Sequence, residues 1–161
     1  MGMLLQETCK GILFLEADMK SQEVEVYREI QRNTEMAMKA IDTISDKVYD
    51  DQLAMQISRQ SLKYSEIHDA ALKQLVNAKA EPYHGNYLEE TMLKTGIHYN
   101  TLLNTSTSHI AELMIKGSSN GIVQMERVLN RNENVGEQPA TLARQLIELE
   151  ERNINRLKHY L

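Results

Sequence analysis

The sequence has few of the residues that form turns, disulfides and aromatic cores. Its 161 residues include two prolines, one cysteine, one phenylalanine and no tryptophan. The single Cys9 excludes an intramolecular disulfide framework and a cysteine-based metal site, and it fits a reducing cytoplasm. Because aromatics are scarce, leucine, isoleucine and nine methionines must fill the core, a composition suited to helix-on-helix packing.

Long apolar runs and an excess of basic residues are also missing. The longest apolar run, residues 12–15, is far shorter than the roughly 18 to 20 residues of a membrane span and too short for a cleaved signal peptide. The formal net charge is −5 and the pI is near 5.6, without the basic stripe that binds nucleic acid. The sequence therefore predicts a cytoplasmic protein that binds neither membranes nor nucleic acid.

Apolar residues recur at helical spacing over long, glycine-poor stretches. Residues 1–20 are predicted as an N-terminal extension, either irregular or a short helix, and residues 21–161 as the bundle domain. The helices predicted within that domain cover residues 21–48, 51–79, 87–116, 122–129 and 139–161. The predicted fold is all-α, an antiparallel four-helix bundle with a short extra helix in the C-terminal crossover.

The punctuation of the chain fits this layout. Asp50 or Asp51 is the predicted N-cap of the second helix, and Pro82 marks the clearest loop. The glycine- and serine-rich run at residues 117–121 is predicted to break or bend the pattern, as a helix cap and turn or as a small-anion site. Pro139 is predicted at the first position of the last helix, where its missing N–H is tolerated.

Candidate functional residues are the ionisable side chains on or beside the apolar stripes, because bundles build their sites from polar groups facing the core. The candidates are Glu35, His68, His98, His109, Glu112 and Glu150. Counting levels from the predicted turns places Glu29, His68 and His98 in one layer. A second layer holds Thr34, Glu35, Tyr64 and Glu150. Structural roles stay open beside functional ones: His68 bonded to a neighbouring hydroxyl, and Glu150 at the boundary paired with an arginine.

Three stretches carry a resemblance to a known family: residues 33–41 (NTEMAMKAI), 108–118 (SHIAELMIKGS) and 156–161 (RLKHYL). They resemble small, uncharacterised bacterial four-helix-bundle proteins of the ferritin-like superfamily. That resemblance implies long antiparallel helices with one irregular crossover. Di-iron members of the superfamily use two Glu-x-x-His motifs and two further glutamates. This sequence has no Glu-x-x-His; His109 and Glu112 give only the reversed order.

These observations leave three functions open. The first is self-association, as a dimer, or binding of a partner protein, without demonstrable catalysis. The second is metal or ligand binding by a ferritin-like protein whose di-iron site is non-standard or lost, a metal ion using His68 or His109 with a carboxylate. The third, a sporulation- or stress-associated structural protein, is implied by the resemblance alone. No catalytic residue or cofactor is predicted, since no nucleophile elbow, phosphate loop or dinucleotide fingerprint occurs.

Overall fold

The fold is all-α. The computed structural model describes the backbone of residues 2–161 and the side chains of residues 21–161, and within these bounds it contains helices and no strand. The helices are α1 (Gly2–Ser45), α2 (Asp51–Asn77), α3 (Tyr87–Thr101), α4 (Thr107–Arg131) and α5 (Glu137–Leu157), followed by a 3-10 turn at Lys158–Tyr160. The most extensive packing is α1 on α2 and α4 on α5, while α1 also contacts α4 and α5.

The first two helices meet close to the predicted turn. Helix α1 ends at Ser45, and α2 begins at Asp51 as predicted. Asp50 is the N-cap, because its side chain accepts the Leu53 N–H at 2.8 Å and so pairs one of the free donors at the helix start. Helix α1 runs unbroken through residues 20 and 21, so the prediction that the first helix begins at residue 21 is wrong. The predicted division into an extension of residues 1–20 and a bundle domain of residues 21–161 stays a prediction, and the side chain of Cys9 lies outside the described part.

Apolar side chains from α1, α2, α4 and α5 form the core. Burial of each large aliphatic side chain stabilises the fold by about 1.5–3 kcal/mol. The fully buried members include Ile30, Leu53, Ile57, Ile110, Met125, Leu146 and Leu157. Most core positions predicted on the first, second and last helices are confirmed. In the part of the chain that the structure describes, no helix combines the length and apolar character that a membrane crossing requires.

The single helix predicted over residues 87–116 is wrong. Helix α3 ends at Thr101, and α4 starts at Thr107. Between them, Asn104 Oδ1 accepts the Ser106 N–H at 3.0 Å, and the Ser106 side chain caps α4. Asparagine and serine side chains compete for backbone groups in this way, which favours caps and turns over helix interiors. Local polar chemistry therefore ends the helix despite the continuing apolar pattern.

Apolar spacing in the predicted helix over residues 87–116 also predicts a stripe of residues that face the core. Within and just after α3, the members of this stripe are Leu88, Met92, Tyr99, Leu102 and Leu103. This prediction is wrong, because all five are exposed. The opposite side of α3 faces inward, with Ile97 packed against the core and Thr101 buried. Periodicity could not select the inner face, because α3 is apolar on both sides.

The break predicted at residues 117–121, and the separate short helix predicted at 122–129, are wrong. Helix α4 continues through both from Thr107 to Arg131. Where it passes Gly121, an added Cβ would lie 3.0 Å from Asn33 Oδ1 and 3.1 Å from Glu150 Oε1. The absence of a side chain at Gly121 therefore allows α4 to pack closely against α1 and α5, and the backbone does not turn at this residue.

The last helix begins slightly earlier than predicted. Gly136 is its N-cap and Glu137 its first residue, so Pro139 lies within the first turn and not at its first position. A proline there removes no intrahelical hydrogen bond, because the first N–H groups of a helix have no partner within it.

Alanine substitution at two glycines of α4 tests its continuity. A Cβ at Gly117 meets open space, so Gly117→Ala should raise the free energy of unfolding by up to ~1 kcal/mol, the helix-propensity difference. Gly121→Ala gains the same propensity but presses a methyl group against Asn33 and Glu150. It should be less stable than Gly117→Ala by about 1 kcal/mol or more. Urea unfolding followed by circular dichroism measures both; equal gains would contradict the close approach, and a loss at Gly117 would contradict the continuous helix.

Candidate functional site

A cavity of about 460 Å³ lies between the helices. That volume falls within the roughly 300–1,000 Å³ of small-molecule sites, and all five helices contribute to its wall. The apolar part of the wall includes Met36, Ile41, Met92, Ile97, Leu113 and Met114. The polar part includes Asn33, Gln60, Tyr64, Ser118, Asn120 and Glu150. A mostly apolar enclosure with a few polar groups on its wall is the usual form of a ligand site.

The polar groups centre on a buried hydrogen-bond chain. Tyr64 of α2 donates its hydroxyl proton to Glu150 Oε2 of α5 at 2.6 Å, and Asn153 Nδ2 donates to the Tyr64 hydroxyl oxygen at 3.0 Å. Only 3% of Tyr64 and 2% of Glu150 is exposed. Ser118 of α4 lines the same cavity, and its hydroxyl lowers the pKa of both Tyr64 and Glu150. The chain thus joins three helices around one carboxyl group.

That carboxyl group has no cationic partner among the described side chains, where each ion pair involves other acids. Burial raises the pKa of Glu150 above its ordinary 4.5, and hydrogen bonds from Tyr64, Ser118 and Asn153 offset only part of this effect. Burial, and then the charge of Glu150, also raise the pKa of Tyr64 well above 10.0. The phenol is therefore a protonated donor at neutral pH.

Two buried polar atoms beside Tyr64 and Glu150 lack a hydrogen-bond partner among the described residues. They are Nε2 of Gln60 and Oδ1 of Asn153. Gln60 is four residues before Tyr64 and so one turn away on the same face of α2, and it forms part of the cavity wall. An unsatisfied buried donor costs about 1–3 kcal/mol, and such groups in folded proteins often accompany a functional role.

Helix α3 closes the cavity on one side and is tied to α1 by ion pairs. Arg32 donates to Glu89 through Nη2 at 2.9 Å and Nε at 3.2 Å, and Lys39 donates to Glu90 at 2.9 Å. Lys94 and Lys39 lower the pKa of Glu90 to about 2. Partly exposed pairs of this kind contribute only about 0–1 kcal/mol each. With its outer face unpacked, α3 is the most weakly held wall of the cavity.

Among the ionisable candidate site residues predicted from sequence, Glu150 is the one that lines the cavity. The reading of Glu150 as a boundary residue paired with arginine is wrong. Its predicted neighbour Tyr64 does meet it, but Glu35 of the same predicted layer does not, since it pairs with Lys39 at 2.6 Å. Thr34 is buried and donates to the Ile30 carbonyl oxygen at 2.8 Å, which satisfies its hydroxyl within α1.

The histidine candidates lie elsewhere. His68 Nδ1 is 3.4 Å from Asp69 Oδ1, and His98 is exposed. His109 Nε2 donates to the Asn100 carbonyl oxygen at 2.8 Å, which ties the start of α4 to the end of α3. Glu112, predicted beside His109, is exposed and pairs with Lys116 at 2.6 Å.

The other acid of the predicted histidine layer, Glu29, bonds Arg32 at 2.8 Å. Within residues 21–161, no three histidine, cysteine, aspartate or glutamate side chains lie close enough together to hold a metal ion. The predicted metal alternative therefore has no assembled ligand set in this part of the chain. The position of Cys9 lies outside the described side chains.

Sequence reasoning missed the uncharged members of the site. Gln60 and Asn153 are buried polar residues at core-facing positions, Gln60 three residues after Ile57 and Asn153 four before Leu157. Their spacing within the apolar stripes was a usable signal, but as neutral amides they fall outside the ionisable side chains from which the candidates were drawn. Ser118 carried no such signal, because its helix was predicted to be interrupted there.

Comparisons with known proteins give no assignment: no family model, no curated protein and no solved structure matches the chain.

Substitution of Glu150 tests the charge at the site. Because the pKa of Glu150 is raised in the folded state, protonation of its carboxyl group stabilises the fold. This stabilisation is present below about pH 4.5 and is lost as the pH rises through the pKa of the folded state. Glu150→Gln keeps an acceptor for Tyr64 and removes the titration. It should be more stable than the parent at pH 8, and the difference should shrink as pH falls toward 5. Thermal unfolding across that range measures it.

Glu150→Ala is the matched control for this prediction. It should be less stable than the parent by about 1–3 kcal/mol, because the buried Tyr64 hydroxyl loses its acceptor. A Glu150→Gln variant that is less stable than the parent at every pH would contradict the unpaired, buried carboxyl group.

Proposed function

We propose that the protein binds a small, largely apolar molecule in the cavity between its five helices. The observation that carries the proposal is the composition of the cavity wall, which is apolar around one buried carboxyl group. The space of about 460 Å³ is a cleft that is partly open to solvent, and concave sites of this size commonly bind small molecules. Of the functions predicted from sequence, this is ligand binding without the metal.

Two cavity-lining methionines support this proposal. Met36 and Met114 come from α1 and α4, and methionine is flexible and polarisable, so it adapts to irregular apolar surfaces. The weak attachment of α3 gives a route of entry, since displacing α3 from α1 breaks mainly partly exposed ion pairs.

We also propose that the fold is an antiparallel four-helix bundle of ferritin-like topology, with α3 as its crossover helix. One contact and the chain connection support opposite directions for α1 and α2. Arg28 bonds the Glu81 carbonyl oxygen, beyond the end of α2, at 2.7 Å, whereas the start of α2 follows directly on the end of α1. For α1 and α4, the support is Asn33 bonded to Gly121 and Glu25 to Arg131. The extra helix then lies between α2 and α4, before the position predicted from sequence.

Binding is tested by NMR on protein carrying ¹³C-methyl methionine, with 1-octanol as the probe. The expected result is saturable shifts of the Met36 and Met114 methyl signals, since both side chains line the cavity and are only partly exposed. Met55 is 55% exposed on α2 and is the internal reference, which should not shift. Shifts confined to exposed methionines, or none at all, would contradict the proposal.

A blocking variant separates cavity binding from surface binding. Ala37 is part of the cavity wall, so Ala37→Phe should fill the space and abolish the methyl shifts while the helical circular dichroism signal persists. Ala70 of α2 does not line the cavity, and Ala70→Phe is the matched control that should keep binding. Loss of binding in both variants would point to unfolding and not to a blocked cavity.

Self-association is a second candidate, favoured by the exposed apolar face of α3. Leu88, Met92 and Tyr99 lie along one side of that helix, and Leu102 and Leu103 extend the surface; each is more than half exposed. Contiguous apolar surface on a folded protein commonly marks an interaction site. A second copy of the chain, as a two-fold dimer, is the simplest partner.

Charge introduced on this face tests self-association. The parent should sediment as a dimer at micromolar concentration, and the double variant Leu88→Glu, Leu102→Glu should be a monomer. Val76 on α2 is 58% exposed, and Val76→Glu is the control that should stay dimeric. A parent that sediments as a monomer over the whole micromolar range would sink this candidate and leave the cavity proposal intact.

A further inference from the structure

The polar end of the cavity contains two hydrogen-bonding groups of opposite type, one acceptor and one donor. Glu150 presents a carboxyl group with no cationic partner among the described side chains. Gln60 presents a side-chain nitrogen without an acceptor. Both residues line the cavity, and both are at least 97% buried, with exposures of 2% and 3%. Water is therefore largely kept from these two groups.

Both groups adjoin Tyr64. Tyr64 bonds Glu150 at 2.6 Å, and Gln60 is one turn from Tyr64 on the same face of α2, with about 5–6 Å between the Cβ atoms of Gln60 and Tyr64. The terminal amide of glutamine turns about its last torsion at little cost, so its nitrogen can turn toward an acceptor in the cavity. Both residues line the same cavity, so a bound molecule has Glu150 and Gln60 as its buried polar neighbours.

Charge limits which head groups fit. A carboxylate or phosphate would meet the acid Glu150 and be disfavoured by like charge. An ammonium would pair with Glu150 but has no lone pair for the Gln60 nitrogen. The cationic Arg32 also borders the cavity, but its guanidinium is already bonded to Glu29, Glu89 and Gln124. A hydroxyl group both donates and accepts, so it satisfies Glu150 and Gln60 together.

We infer that the ligand is an aliphatic molecule with a neutral hydroxyl head group, which donates to Glu150 and accepts from Gln60. The inference rests on the proposed ligand-binding function and names its ligand class. The apolar body of the molecule lies against the methionine and isoleucine wall.

The test compares three eight-carbon probes with one another on the full chain. They are 1-octanol, octylammonium and octanoate, each titrated against the methyl signals of Met36 and Met114. The expected order has 1-octanol binding tightest, by about fivefold or more, the typical effect of one hydrogen bond. Octylammonium or octanoate binding as tightly as 1-octanol would overturn the inference and leave the binding function standing. Binding by none of the three would contradict the binding function itself.

Gln60→Leu provides an independent arm, since it keeps the size of the side chain and removes the donor. It should weaken 1-octanol about fivefold or more and leave octylammonium unchanged. A Gln60→Leu variant with parental affinity for 1-octanol would overturn the role of Gln60. Should this variant unfold, as judged by circular dichroism, the order of the three probes on the parent still decides the inference.

Discussion

The hydrogen bond between Tyr64 and Glu150 is the constraint on which the interior depends. It places an ionisable group in a core whose side chains are mostly aliphatic, and a buried charge is tolerated only when hydrogen bonds or a proton compensate it. Asn153 and Ser118 supply part of that compensation from α5 and α4. The small residues of α4 follow from the same constraint, because Gly121 leaves room for the Glu150 carboxyl group beside Asn33.

The cavity is a consequence of the way α3 packs. The four helices that share the core close tightly around their aliphatic side chains, whereas α3 packs mainly on α1. Ion pairs to Arg32 and Lys39 hold it there. The inner face of α3 thus covers the polar end of the core without filling the space in front of it. Its outer face is apolar and exposed.

Much of the fold was predictable from periodicity and punctuation. The all-α class, the start and cap of α2 and most core positions of α1, α2 and α5 follow from apolar spacing and from Asp50. The centre of the chain was not predictable in this way. Asn104 and Ser106 end a helix whose apolar pattern continues, and Gly117 to Gly121 read as a turn although tertiary packing places them within α4. Propensity is a weak prior where packing decides.

The candidate site was predictable only in part. The inward position of Glu150 and its meeting with Tyr64 could be inferred, since both fall on apolar stripes. The histidine layer could not, because level counting ignores which face of each helix is inward, and α3 presents the face opposite to the one expected. Gln60 and Asn153 were overlooked because neutral amides carry no charge signal, although their spacing matches that of the core residues around them.

We propose that Glu150 is a buried acid, without a counter-ion among the described side chains, at the edge of a ligand cavity. The most direct measurement is the pH titration of its side-chain ¹³C carboxyl resonance, assigned by comparison with Glu150→Gln. The account predicts a midpoint above the ordinary 4.5 of a glutamate and a further change of that midpoint when 1-octanol is bound. A midpoint at or below 4.5, unaffected by 1-octanol, would contradict it.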